Sequence, residues 1–124
     1  MRYLCFVKMD EALADPPAAL MEAMGEHVGE GFASGRLLDA GGLYGAAEAV
    51  EFRVSGGSLT VTDGPYAEAK EVVGGWAIIK VDSEDEARAE GQKMADLHLR
   101  HWPAWEGAIE LRRIAEPDEA PTGS

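Results

Sequence analysis

The chain has 124 residues, with 11 Lys and Arg against 23 Asp and Glu, a formal net charge of −12. That length suits a single domain with its own core, and an apolar share of 46% is that of a folded globular protein. The negative field repels phosphate backbones and anionic bilayers, so neither nucleic acid nor a membrane is an expected partner.

Cys5 is the only cysteine, which excludes an intramolecular disulfide. Set among Tyr3, Leu4, Phe6 and Val7, it reads as a buried thiol rather than a reactive one. Charge returns at Lys8, Asp10 and Glu11, too early for a signal peptide. No run approaches the ~18 apolar residues of a membrane span. The expected location is the cytoplasm.

In chain order, Arg2 to Lys8 is apolar, aromatic and branched, and predicts a buried strand. Asp15-Pro16-Pro17 supplies an N-cap and a proline for the first helical turn. Leu20, Met24, Val28 and Phe32, with Met21 beside them, then form an apolar helix face. Gly25, Gly29 and Gly31 weaken that helix by ~1 kcal/mol each relative to alanine, so packing must hold it. Ser34-Gly35 is its stop signal.

Arg36 to Leu43 reads as a second strand. Val50–Val54 and Leu59–Thr62 flank Ser55-Gly56-Gly57-Ser58 as a hairpin. Trp76 to Val81 is the next strand, and Ser83 with Glu86 three residues on is a capping box. The helix it opens carries Ala87, Gly91, Met94, Ala95 and His98 along one side. Ala108 to Ile114 is the last strand, and 116–124 read as a flexible acidic tail to a domain of residues 1–115.

Two helices among mainly antiparallel strands predict an α+β sandwich with the helices on one face of a sheet. The other face then lacks a cover within the chain. A second copy supplies one, so a homodimer is expected.

The stretch Thr62 to Gly75 is too long and too charged for a tight turn. Its Asp63-Gly64-Pro65-Tyr66-Ala67-Glu68-Ala69-Lys70-Glu71, followed by Gly74-Gly75-Trp76, resembles the signature of the DGPF branch of the YCII-related family. Met1-Arg2-Tyr3, Leu37 to Leu43, and His101-Trp102-Pro103 through Glu110-Leu111-Arg112 are similar too, so the resemblance extends to about Ala115. It implies a ferredoxin-like fold that dimerises as an α/β barrel. The wider family includes small-ring lyases and proteins proposed to use a His-Asp pair, and many DGPF members are encoded beside alternative sigma factors. The wider family's histidine falls near Ala23 or Met24, where this sequence has none; the nearest is His27.

Each candidate site residue has two readings. Asp63 suits turn chemistry first, with Pro65 fixing φ, and beside it the role of a carboxylate held at a pocket mouth as base or anchor. Glu68, Lys70 and Glu71 form either a solvated ion-pair clasp or an anion contact. His27 borders the apolar face of the first helix and is the leading proton-transfer candidate, beside the plainer role of a satisfied structural histidine. His98 lies on the apolar side of the second helix and reads as core or cleft lining. His98 and His101, with Asp96, have a spacing a metal could use, but no third ligand is fixed, so no metal is expected. Trp76, Trp102 and Trp105 supply apolar walls for a flat substrate or a packing cap.

No phosphate loop, nucleophile elbow or Cys-His pattern is present, and no cofactor is expected. Two functions remain open. One is a cofactor-independent lyase or isomerase acting on a small ring or acidic metabolite, with Asp63 and His27 or His101 moving protons. The other is a non-catalytic module that binds a small molecule or a partner, the partner being a sigma factor if the resemblance carries that far.

Overall fold

The computed structural model describes residues 1–10, 15–64 and 71–118. Its elements run β1 (Arg2–Asp10), α1 (Ala18–Ser34), β2 (Leu37–Gly42), a short 3-10 turn (Ala46–Glu48), β3 (Val50–Ser55), β4 (Ser58–Asp63), β5 (Glu71–Lys80), α2 (Glu84–His101) and β6 (Gly107–Arg113). The order matches the sequence reading element for element. β5 starts earlier than Trp76: Glu71, Val72 and Val73 already pair with Asp10, Met9 and Lys8.

The main sheet has the order β2-β5-β1-β6, with antiparallel neighbours throughout. Both helices pack on one face, where Val28 of α1 and Ala87 of α2 meet a core of Tyr3, Leu37, Ile79 and Val81. This mixed α+β arrangement is compatible with a ferredoxin-like fold. The hairpin β3-β4 is a separate two-stranded sheet, and the described strands form no closed barrel. Among the described residues no helix is long and apolar enough to cross a membrane.

Local chemistry explains most boundaries. Gly35 stops α1 in the left-handed conformation at φ 80° and returns its N–H to Phe32. Gly56 and Gly57 both have positive φ, which a two-residue hairpin turn requires. Ser83 Oγ accepts the N–H of Glu86, while the Glu86 carboxylate reaches back to the N–H of Asp82 rather than of Ser83. At α1 the expectation fails: Pro17 is the N-cap residue, and no side chain caps that end.

The buried face of α1 is also rotated from the predicted one. Met21 is 58% and Phe32 48% exposed, while Leu20, His27 and Gly31 are buried. Steps of four residues advance 400°, so the run from Leu20 to Phe32 walks ~120° around the helix. Steps of seven drift only ~20°, and they join Leu20 to His27 and Met24 to Gly31.

By register, Leu4, Phe6, Trp76 and Ile78 lie on the sheet face away from the helices, all half-buried. Lys8 Nζ meets Glu110 Oε1 at 2.8 Å beside them, and the Arg112 guanidinium lies over the Phe6 ring. The Lys8 bond first, and the Arg112 bond second, hold the Glu110 carboxyl below the usual carboxylate range.

Candidate functional site

Between α1 and the sheet, at one end of the sandwich, lies a cavity of about 410 Å³. Leu20, Met24 and Val28 line it from α1, and Cys5, Val7 and Met9 from β1. Backbone of Gly41, Gly42, Gly74 and Gly75 forms another wall. Two of these glycines answer to close packing. A Cβ at Gly41 would lie 2.9 Å from Trp76 Nε1, and one at Gly74 would lie 2.8 Å from Met9 Sδ. Gly74 is also the extra residue where the β1-β5 register shifts between Val7 and Lys8, a bulge that bends the strand at the cavity wall.

The far wall is Met94 and His98 of α2, with Trp102 just beyond the helix end. His98 Nδ1 lies 2.9 Å from the carbonyl oxygen of Met94. A carbonyl only accepts, so Nδ1 bears the hydrogen and Nε2 of the neutral ring keeps its lone pair. The ring rests against Trp105, with centroids 4.6 Å apart and planes inclined by 43°. Burial lowers the His98 pKa, opposed in part by the Met94 carbonyl.

A second void, of about 30 Å³, adjoins the first: Cys5, Val28, Ala77 and Met94 border both. It is also bordered by His27, Arg36 and Glu90. Glu90 Oε1 is 2.7 Å from Arg36 Nε, and Glu90 Oε2 is 3.2 Å from His27 Nε2. His27 Nδ1 is buried and has no hydrogen-bond partner among the described residues. Burial, with the charge of Glu90 adding to it, pushes the Cys5 thiol up to about 11. Cys5 therefore faces both spaces as a thiol, not a thiolate.

The predicted site residues are distributed unevenly around these spaces. Trp102 borders the larger cavity and His27 the smaller; Trp76 meets the larger cavity too, though by register its indole lies on the opposite face of the sheet, against Gly41. Trp105 backs His98 instead of lining the cavity. His101 is half-buried and borders neither space. Asp63 is exposed at the end of β4, paired with Val50, and borders neither space. After it, Gly64 takes φ 83° and donates its N–H to the Ala49 carbonyl, the turn chemistry expected of the motif. Glu68 and Lys70 lie outside the described residues. Among the described residues no three His, Cys, Asp or Glu side chains gather as a metal site would need.

The family model described as YCII-related domain matches residues 1–116. The chain belongs to this family. Its last matched residue has a structural role: the Glu116 carboxylate takes both Arg2 Nε and Nη2, at 2.9 and 3.0 Å, which ties the end of the YCII-related domain to its first strand. No curated protein shows a significant match.

Sequence reasoning missed Glu90 and Arg36 in this YCII-related domain. A signal for Glu90 was present. It lies three residues after Ala87 and four before Met94, both buried, so a carboxylate falls on the inward stripe of α2. Arg36 carried no such signal, since only the left-handed turn at Gly35 brings it beside Glu90.

Proposed function

We propose that this YCII-related domain binds a small ring compound in the cavity between α1 and the sheet, and moves one of its protons through His98. The observation that carries the reading is His98 itself, a buried imidazole held neutral at a mostly apolar cavity, with its tautomer fixed by the Met94 carbonyl. An apolar pocket with one placed polar group is the usual form of a small-molecule site. A neutral Nε2 in that setting is a base ready at neutral pH.

The reaction class this favours is a cofactor-independent isomerase or lyase. His98 would take a proton from a ring carbon beside a carbonyl. In an isomerase it returns the proton to another carbon as the double bond shifts; in a lyase the carbanion expels a leaving group. The test is a small-ring library screened by ligand-observed NMR in D2O. Binding accompanied by deuterium entering a ligand C–H, lost in His98→Gln with binding retained, is the expected result. No binder in wild-type protein would overturn the reading.

A non-catalytic binding module is the second reading. Its support is that His98 is the sole described His, Asp, Glu, Lys or Arg bordering the larger cavity. Binding without exchange would select it. We also propose that two copies meet through the sheet face away from the helices, as a dimeric α/β barrel of the DGPF type would.

A further inference from the structure

The polar cluster behind the cavity narrows the class of ligand. Glu90 lies between Arg36 Nε and His27 Nε2, at 2.7 and 3.2 Å. A carboxylate only accepts, so His27 Nε2 bears a hydrogen toward Glu90, and in the neutral tautomer of that form the lone pair is on Nδ1. That Nδ1 is buried and unpartnered among the described residues, on a side chain only 7% exposed. Buried acceptors in native proteins are nearly always met by a protein group, a ligand or an ordered water. The void of about 30 Å³ beside this ring has room for one oxygen-sized group.

Cys5, Val28, Ala77 and Met94 border both the void and the larger cavity, so a group on a ring held in the cavity has a short way to the void. Met94 is unbranched and adapts its rotamer readily. We infer that the void is the polar end of the binding cavity and takes the hydroxyl of a phenol-like ligand, which donates its O–H to His27 Nδ1. The inference rests on the proposed binding of a ring compound and adds the hydroxyl.

Chemistry separates this class from its neighbours. A hydrocarbon ring leaves Nδ1 unpaired. An oxyanion meets the charge of Glu90 while Arg36 is already engaged there. A hydroxyl is small enough for the void and supplies the donor that the lone pair lacks.

Phenol and toluene, near-isosteric, test the point on the full chain with ¹⁵N-labelled histidine. Phenol is expected to bind at least tenfold more tightly than toluene and to move the His27 Nδ1 resonance, which toluene leaves in place. In His27→Phe, phenol should fall to the affinity of toluene while toluene is unchanged. If that variant fails to fold, the wild-type Nδ1 resonance decides alone. Equal affinities, or tighter phenol binding with Nδ1 unmoved, would overturn the inference and leave the cavity reading standing. If neither compound binds, both fall.

Discussion

Gly31 and Leu37 mark a close approach of α1 to β2: a Cβ on Gly31 would lie 2.9 Å from the Cβ of Leu37 and 3.3 Å from Arg36 Nη2. A glycine that looks like a helix weakness is thus what lets the helix come down beside the strand. The same approach brings His27, one turn earlier, and Arg36, one residue before β2, to opposite oxygens of Glu90.

Gly31→Ala sets two effects against each other. Helix propensity favours alanine by ~1 kcal/mol, while overpacking at such a contact costs about 1–3 kcal/mol. The clash involves a Cβ, which cannot swing away, so a net loss is expected. A lower urea midpoint with an unchanged slope would show it. Gly25→Ala, with nothing within 4 Å of the added carbon, should instead raise the midpoint and serves as the control.

The pH dependence should carry the mark of His98. Its folded pKa is lowered by burial, so the unfolded chain binds the proton more readily. Stability from this group is full above the ordinary histidine value of 6.5 and is lost as the pH falls through the window down to the folded pKa. Denaturant midpoints measured between pH 7.5 and 5 should fall more steeply for wild type than for His98→Gln. Parallel curves would show that His98 is not held neutral.

Cys5 should be slow to alkylate. With its pKa near 11, roughly one thiol in a thousand is ionised at pH 8. Iodoacetamide should label the native chain much more slowly than the urea-unfolded one. A cavity ligand should slow labelling further, because Cys5 borders both spaces.

Much of the fold was legible because local chemistry and burial agree along most of the chain. The two glycines of the hairpin turn, the Ser83 cap and the left-handed Gly35 each announce a boundary that the backbone adopts. The site was less legible. Apolar periodicity finds Leu20 and Met24, sets His27 only at the border of the face, and passes over Gly31, which has no side chain. Glu90, Arg36 and Cys5 are far apart in sequence, and only the packed helices unite them. Asp63 stands out through its motif; it is exposed at the end of β4, and the turn that follows it is set by Gly64.

The sheet face away from the helices is the expected dimer surface. Leu4, Phe6, Trp76 and Ile78 sit together there, with Lys8, Glu110 and Arg112 linked beside them. On the separate hairpin, Val50, Phe52, Val54, Leu59 and Val61 are all exposed, and strand register sets them on one of its faces. An exposed apolar face such as the hairpin's is rare on a monomer. A second copy related by a two-fold axis would place Ile78 against apolar groups of its partner. Sedimentation at micromolar concentration should therefore give the mass of two chains. Ile78→Glu should give one, because the buried carboxylate would lack a partner, while the helix-face core that Ile78 does not join stays folded by circular dichroism. A wild-type monomer would refute the dimer, and a variant that remained a dimer would place the interface elsewhere.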